Sequence, residues 1–279
     1  MGMRIGANIT ALTAQRTLAS TKSALDRSMQ KMSSGSRINK ASDDAAGLAV
    51  SETLKAQMRG LKQANRNTQD GISLLQTGEG ALSEVGNMLV RMRELSIQAA
   101  SDTINDRDRQ LTGKEYTQLM AEIDRISEST EFNGTKLLNG EGQSFDFQVN
   151  TKNSDMVDRI SFEPAEADSS SVALGVRFSN VFDKESAQNS LQIIDNAIGH
   201  VSQLRAHFGS IQSRLNSTVE NLNSSLESMA TANSRIRDAD IAEESSEMAK
   251  QNIMLQSGIS VLAAANQQPG QALSLLNKG

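Results

Sequence analysis

Residues 191–237 read LQIIDNAIGHVSQLRAHFGSIQSRLNSTVENLNSSLESMATANSRIR, and this stretch decides the fold class. An apolar side chain recurs there at every seventh position: Ile194, Val201, Phe208, Leu215, Leu222, Met229 and Ile236. Much of a companion column is supplied by Leu191, Ile198, Leu204 and Ile211. This spacing predicts one coiled-coil helix of roughly 50 residues, ~75 Å long at ~1.5 Å per residue.

The pattern changes phase near residue 238. After the charged run Arg237–Asp240, a second apolar column consists of Ile241, Met248, Leu255 and Leu262. Because the step from Ile236 to Ile241 is five residues rather than seven, we expect the chain to bend or rotate there. The sequence therefore predicts two consecutive C-terminal helices.

The N-terminal half repeats this layout. Its first apolar stripe includes Ile5, Ile9, Leu12, Leu18 and Leu25 and runs to a loop at 33–36. Beyond that loop, leucines on a seven-residue grid predict a second helix from about Asp44 to Ala100. A third helix is predicted over roughly Arg107–Ser129, between Asn105-Asp106 and Asn133-Gly134.

Four glycines conflict with simple helix propensity. Gly71, Gly78, Gly80 and Gly86 all fall inside the second predicted helix, where each costs about 1 kcal/mol relative to Ala. One interpretation is a broken helix with a loop at Thr77–Gly80. The other, which we prefer, is that glycine allows close approach of neighbouring backbones in an assembly.

The middle of the chain follows a different pattern. The apolar residues that alternate with polar ones are Phe145, Phe147 and Val149, then Ile160 and Phe162. Because a turn cluster separates the two runs, they predict a β-hairpin at about 144–163. The Ser- and Ala-rich residues 164–183 are interpreted as a short variable surface tip. The predicted fold class is mainly α: a long helical rod or coiled-coil bundle with a small β-hairpin insert and paired N- and C-terminal helices.

Composition narrows the function classes. Of 279 residues, 28 are basic and 33 acidic, for a net charge of −5, and none is cysteine. Disulfides, thiolate nucleophiles and Cys-ligated zinc are therefore excluded. With 3% aromatic residues and no long basic run, nucleic-acid binding is not expected. We also expect neither a membrane span, which needs ~20 apolar residues, nor a Sec-type signal peptide.

Candidate catalytic and metal-binding residues are few. His200 and His207 lie seven residues apart, roughly 10 Å along a helix, which is too far for one metal ion. The pairs Asp43-Asp44 and Asp238/Asp240 each open a predicted helix, where capping explains them better than acid–base catalysis. Phosphate-loop and serine-hydrolase motifs are absent from the sequence. We therefore expect a protein that is not an enzyme, with no metal, no cofactor and no small-molecule substrate.

The terminal stretches are rich in Ala, Ser, Gln and Asn and poor in bulky apolar residues. Heptads most often fill an intramolecular bundle, but a pair made from these two stretches alone would be only marginally stable. We therefore expect the chain ends to become ordered when copies assemble.

Several motifs carry a resemblance to a known family. The chain reads SSGSRINKASDDAAGLA at 33–49, QANRNTQDGIS at 63–73, RMREL at 91–95, EIDRI at 122–126 and TEFNGTKLL at 130–138. Its C-terminal part reads SRIRDAD at 234–240 and QSGISVLAAAN at 256–266. Over about residues 1–140 and 185–279 the chain closely resembles bacterial flagellin. Only about 40 residues intervene, so it resembles a short form without large outer domains.

The resemblance implies a structural subunit that self-polymerises into the bacterial flagellar filament, the secreted, extracellular propeller for swimming motility. Residues 1–43 and 238–279 would form an inner coiled-coil domain, disordered in the free monomer, and residues 44–237 an outer helical rod domain. The implied polymerisation coiled coil comprises Ile5, Ile9, Leu12, Leu18, Leu25, Ile241, Met248, Leu255 and Leu262. Unfolded export through the flagellar type III apparatus is also implied.

The resemblance further implies several partners: an export chaperone on the C-terminal helix, hook-associated proteins and cap proteins. In flagellins recognised by the animal Toll-like receptor for flagellin, an Arg and a Leu on the second helix and a Glu on the third make the contact. The matching positions are Arg91, Leu95 and Glu115, although Val90 replaces the glutamine usual before that Arg. The alternative interpretation is that these residues serve protofilament packing.

Two other functions are compatible with part of the sequence pattern. A hook–filament junction protein shares the terminal helices, but it would have a divergent middle and would not self-polymerise. An enzyme or adaptor on a helical rod is the rival from another class. The metalloprotease inserts of some flagellins require HExxH in the middle of the chain, where this sequence has no histidine. The motifs favour a filament subunit.

Overall fold

A computed structural model describes residues 8–276, with side chains described for residues 8–268. Its helices are α1 (Ile9–Ser34), α2 (Ala45–Ala99), α3 (Asp106–Ser129), α4 (Asp155–Asp158), α5 (Lys184–Arg237) and α6 (Ile241–Leu276). Its strands are β1 (Glu131–Phe132), β2 (Thr135–Lys136), β3 (Phe145–Gln148) and β4 (Arg159–Phe162). Within this part of the chain, no helix combines the length and apolarity that a bilayer crossing requires.

The chain divides into two compact units. The terminal unit combines the residues up to Ala56 with those from Ser228 onward, and the central unit consists of Gln57–Glu227. The fold class is mainly α with a small β-hairpin, as predicted. The break between α5 and α6 also falls where the apolar column changes phase.

In the terminal unit, α1 and α6 form an antiparallel pair. The side chain of Asn8 donates to the carbonyl of Ala265 (2.8 Å), whereas at the other end of α1 Lys31 contacts Glu244 (2.6 Å). The buried positions of this pair are small or polar, with Leu25 as the exception: Ala11, Thr21, Leu25 and Ser28 on α1, and Gln251 and Ala265 on α6. Small side chains let the two backbones approach closely.

In the central unit, α2 and α5 also run antiparallel. Asn65 donates to Asn223 (2.9 Å), while Arg93 and Asp195 meet at 2.6 Å farther along both helices. The core between the elements consists of large apolar side chains, including Leu75, Leu82, Leu89, Met92, Tyr116, Ile123, Phe162 and Phe208. The heptad column of α5 therefore fills an intramolecular core over its first two thirds.

Two of the helical glycines have a reason within the chain. A Cβ at Gly71 would lie 2.9 Å from the ring of Phe147, and one at Gly78 would lie 2.5 Å from the ring of Phe208. The loop interpretation at Thr77–Gly80 is wrong, because α2 is continuous there. Nothing lies within 4 Å of a Cβ built at Gly80, so close approach between copies stays a prediction for that residue.

The predicted hairpin is present, and its core face is aromatic. Strands β3 and β4 pair antiparallel, with Phe145 opposite Phe162 and Phe147 opposite Ile160. Phe162 packs edge-on against Phe208 of α5 at a centroid distance of 5.1 Å. A smaller hairpin, β1–β2, closes around Asn133-Gly134, where both residues have positive φ. This is the geometry that an Asn-Gly turn favours.

The segment 164–183 differs from the surface tip that its composition predicts. Leu174, Val176 and Val181 are buried in the core against α2, α3 and α5. Asp124 of α3 accepts hydrogen bonds from the amide (2.8 Å) and hydroxyl (2.9 Å) of Ser171. The segment therefore contributes to the core through Leu174, Val176 and Val181, while Val172, Phe178 and Phe182 are exposed.

Candidate functional site

The residues predicted to form a terminal coiled coil divide into two sets. Leu25 is buried, and Leu18, Met248, Leu255 and Leu262 are half-buried. Ile9, Leu12 and Ile241 are exposed, and Ile5 lies outside the described residues. The structure thus brings five of the predicted side chains toward the α1/α6 pairing and leaves three in solvent.

An apolar groove of about 590 Å³ lies between α1 and α6. Its α6 wall includes Ile253, Met254 and Val261, and its α1 wall begins at Ile9. Ile9 is 62% exposed and Val261 is 58% exposed, although both have large aliphatic side chains. A contiguous exposed patch of this kind is typical of a surface that binds another protein.

Threonines complete the α1 wall without making it polar. The hydroxyl of Thr13 donates to the carbonyl of Ile9 (2.9 Å), and that of Thr17 donates to the carbonyl of Thr13 (3.1 Å). The hydroxyl of Thr10 donates to the side chain of Asn8 (2.7 Å). Since these three hydroxyl hydrogens are already bonded, they are not free to donate to a molecule in the groove.

Heptad reasoning missed the α6 wall of this groove. Ile253, Met254 and Val261 lie off the column that contains Leu255 and Leu262, so they belong to a second face of the helix. The sequence feature that indicates this second face is the absence of charged residues, not the seven-residue spacing. Residues 251–276 contain no Asp, Glu, Lys or Arg, which is unusual for a helix whose outer face meets water.

A second feature of the terminal unit is the linker bridge, in which residues 35–37 pair with residues 237–239. The amide of Arg37 donates to the carbonyl of Arg237 (2.6 Å), and the amide of Ala239 donates to the carbonyl of Gly35 (3.0 Å). The guanidinium of Arg37 also donates to the carbonyl of Ile236 (2.8 Å). The motifs at 33–49 and 234–240 therefore meet in space, which their sequence positions did not indicate.

Charged groups reinforce the linker bridge. The guanidinium of Arg237 donates to Glu52 (2.7 Å), and this bond holds the pKa of Glu52 below its ordinary value. The carboxylate of Asp43 accepts from the amides of Lys40 and Asn39, and these bonds lower its pKa as well. These contacts fix the chain direction between α1 and α2.

The acidic pairs considered for catalysis are caps and turn anchors. Asp44 accepts from the amide of Gly47 (2.8 Å) at the start of α2, and Asp240 accepts from the amide of Ala242 (2.9 Å) at the start of α6. Asp238 bonds the hydroxyl of Ser234. Among residues 8–276, no group of three or more His, Cys, Asp or Glu side chains is arranged to hold a metal ion.

Arg91, Leu95 and Glu115 do not form a uniform surface. Arg91 donates to Glu115 of α3 (2.9 Å) and to Glu94 (2.9 Å). These bonds raise the pKa of its guanidinium, and the bond to Glu94 has the larger effect. Leu95 is only 2% exposed and lies in the core. The exposed groups at this position are therefore the Arg91 ion pairs, with apolar Val90 beside them.

Comparison with known proteins gives consistent results at both ends of the chain. The family profile described as the bacterial flagellin N-terminal helical region matches residues 5–143. The profile described as the bacterial flagellin C-terminal helical region matches residues 191–276.

Individual relatives agree with the profiles. The chain is 41% identical to a flagellin of Halalkalibacterium halodurans over 274 residues and 43% identical to a flagellin of Bacillus subtilis over 305 residues. Each alignment covers 98% of this chain and 100% of the relative. The crystal structure of Bacillus cereus flagellin superposes with a TM-score of 0.51 at 35% identity, over 60% of this chain and 94% of that one.

Proposed function

The chain belongs to the family of bacterial flagellins, and from this premise we propose how its surfaces build a filament. It is a structural subunit of the extracellular flagellar filament, a homopolymer that serves motility, and it is not an enzyme.

The α1/α6 pair is the polymerisation element, and neighbouring copies cover its groove. The observation that carries this proposal is the exposure of Ile9 and Val261 beside an otherwise apolar cavity. Burying such a side chain against a neighbour gains about 1.5–3 kcal/mol. The half-buried column of Leu18, Met248, Leu255 and Leu262 completes the coiled coil within each copy, and Leu12 extends its apolar surface.

The proposed contacts are individually weak, and this suits a polymer. Each copy in a helical tube touches several neighbours at once, so modest contacts act together once a subunit has docked. The exposed aliphatic groups are separated by Ala, Ser and Gln, which limits the gain from any one contact.

We retain the division into an inner coiled-coil domain (1–43 and 238–279) and an outer helical domain (44–237). Two observations support these bounds. The polar caps Asp44 and Asp240 begin α2 and α6, and the linker bridge lies between the helices on either side.

Before assembly the apolar groove needs protection, and this supports the proposed accessory partners. An export chaperone would cover α6, whose residues 251–276 carry no charge to oppose an apolar partner. Hook-associated and cap proteins would meet the same helices at the two ends of the filament. Export in unfolded form through the flagellar type III apparatus completes the proposal.

For the second surface we propose a protofilament contact centred on Arg91 and Glu115. Its support is the exposed Arg91–Glu115 ion pair, which links α2 and α3, together with the Arg91–Glu94 pair within α2. Recognition by the animal Toll-like receptor for flagellin would use the same two residues. Leu95, buried as it is, would contribute by supporting this part of α2 from beneath.

Seeded polymerisation with a matched pair of substitutions tests the groove. Val261 lies in the groove and is 58% exposed, while Val172 lies in the central unit and is 57% exposed. We expect Val261→Asp to slow growth from short seeds by about tenfold or more, because a buried carboxylate loses its hydration. Val172→Asp should grow close to the wild-type rate, as scored by negative-stain electron microscopy.

The half-buried column provides a second prediction in the same assay. Leu255→Asp or Leu262→Asp places a charge in the α1/α6 pairing, so we expect filament growth to stop while the central unit keeps its thermal transition. Normal filaments from either variant would contradict the coiled-coil role. Equal losses from Val172→Asp and Val261→Asp would contradict the groove as the specific contact.

A further inference from the structure

The groove contains an oxidisable side chain. Among the described residues, the exposed methionines are Met29, Met156 and Met254. Met254 is 43% exposed and forms part of the α6 wall of the groove, whereas Met156 is 94% exposed but lies in α4 of the central unit. A solution oxidant can therefore reach both side chains in a free subunit.

The chemistry at this position is a two-electron oxidation. Hydrogen peroxide transfers one oxygen atom to the thioether sulfur, which loses two electrons and becomes a sulfoxide, while the rest of the peroxide leaves as water. Methionine sulfoxide is polar and chiral, and sulfoxide reductases return it to the thioether. The reaction needs no metal, no cofactor and no other residue of the chain.

The groove is poorly suited to hold the sulfoxide once it is covered. On the α6 wall, the neighbours of Met254 include Ile253 and Val261, which offer no donor, and Ser257, which offers one hydroxyl. The hydroxyls of Thr13 and Thr17 already donate to carbonyls of α1. A sulfoxide oxygen covered by a second copy would thus lose its hydration in a groove that offers few free donors, which opposes the contact.

We propose that Met254 is an oxidation site that controls subunit addition: peroxide converts its thioether to the sulfoxide in the free chain, and the oxidised subunit fails to dock. This proposal rests on the proposed role of the groove in polymerisation. A corollary is that incorporation protects Met254, because the neighbouring copy covers it. The reactive form is the free subunit, and a filament that is already built keeps its contacts.

The test treats purified full-length subunits with hydrogen peroxide and follows growth from short, untreated seeds. Peptide mass spectrometry measures the sulfoxide fraction at each methionine. We expect oxidised wild type to grow about tenfold more slowly or worse, since burying the polar sulfoxide in a mainly apolar groove costs its hydration. Treatment with sulfoxide reductases should return the untreated rate, and assembled filaments should gain several-fold less sulfoxide at Met254.

Two leucine variants identify which methionine causes the loss of growth after peroxide treatment. Leu replaces Met with little change in volume, so Met156→Leu should grow normally without peroxide, and the growth rate of each variant after peroxide is compared with its own untreated rate. After peroxide, Met254→Leu should keep its growth rate although Met29 and Met156 are oxidised, and Met156→Leu should lose growth like wild type. Met254→Gln, a polar side chain of similar length, should slow growth about tenfold without any peroxide.

The proposal is overturned if wild type with Met254 fully converted grows at the untreated rate, or if Met254→Leu is as sensitive as wild type. Untreated Val261→Asp separates this failure from that of the proposed function. If Val261→Asp blocks growth while oxidised wild type grows, only the oxidation site is wrong. If Val261→Asp grows normally, the groove itself is not the contact.

Discussion

The two antiparallel helix pairs of this molecule bury different kinds of side chain. The α2/α5 pair of the central unit surrounds large, fully buried side chains such as Leu82, Leu89 and Phe208. The α1/α6 pair of the terminal unit is joined mainly through small or polar positions such as Ala11, Ser28 and Ala265, and it leaves Ile9 and Ile253 in solvent. Both pairs show heptad spacing, yet only one of them completes a core.

The difference shows where each unit obtains its stability. Fully buried Leu and Phe side chains each contribute about 1.5–3 kcal/mol, so the central unit holds its fold within one chain. A pair joined mainly by Ala, Ser and Thr gains much less from its own burial. Its exposed aliphatic groups gain the remainder only when another molecule covers them, so we expect order in the terminal unit to depend on assembly.

The largest expected effect tests the self-sufficiency of the central unit. Phe208→Ala removes the ring that packs over Gly78 and against Phe162, and it should lower the unfolding free energy of the central unit by about 3–5 kcal/mol. Leu25→Ala should instead destabilise the terminal unit alone, by less, because the side chain has few large neighbours. Hydrogen exchange resolved by peptide distinguishes the units. Equal loosening of the central unit by Leu25→Ala and Phe208→Ala would contradict the separate stability of the two units.

An intermediate effect concerns two glycines two residues apart on α2. Gly80→Ala should stabilise the central unit by up to about 1 kcal/mol, since nothing lies within 4 Å of the added methyl group. Gly78→Ala should destabilise it by about 1–3 kcal/mol, because its methyl group would lie 2.5 Å from the ring of Phe208. Denaturant midpoints measure both. If both variants were more stable than the wild type, the ring of Phe208 would have to move aside for the added methyl group, and packing at this position would be loose.

The smallest effect concerns the linker bridge and pH. The bond from Arg237 lowers the folded-state pKa of Glu52 below its ordinary value of 4.5. The contribution of this pair is therefore complete above about pH 4.5 and is lost as the pH falls through the lowered pKa. Glu52→Gln should flatten the acid limb of terminal-unit stability slightly, because both side chains are solvent-accessible. In an Arg237→Gln background the same change should have a smaller effect, because only Lys55 then lowers the pKa of Glu52, and an undiminished effect would contradict the role of Arg237.

Local periodicity predicted most of the fold. Columns at seven-residue spacing indicated α2, α5 and the start of α6 because the buried faces of those helices follow the heptad closely. The β3–β4 hairpin followed from alternation on either side of a turn. The β1–β2 hairpin was missed, since two-residue strands are too short to alternate and Asn133-Gly134 was interpreted only as a helix end.

The candidate site was less predictable because it depends on pairing between distant segments. The linker bridge joins Gly35 with Ala239, and nothing in either local pattern specifies the partner. The groove arises from residues beside the heptad column, whose exposure depends on how closely α1 and α6 approach. In residues 164–183, the local sequence predicts surface positions for buried serines such as Ser171. Their burial depends on a partner, Asp124, that lies on another helix.

The pairing of α1 with α6 also sets an order of events. The hydrogen bond from Asn8 to Ala265 spans 257 positions of the chain, so the start of α1 lacks this partner until most of α6 is available. Contacts of such separation form late, because the loop between them must close first. A nascent or incompletely delivered chain can fold its central unit but not its terminal unit. If the terminal unit is the polymerising element, competence to polymerise comes only once α6 is present, and copies that end before α6 are excluded from growth by topology alone.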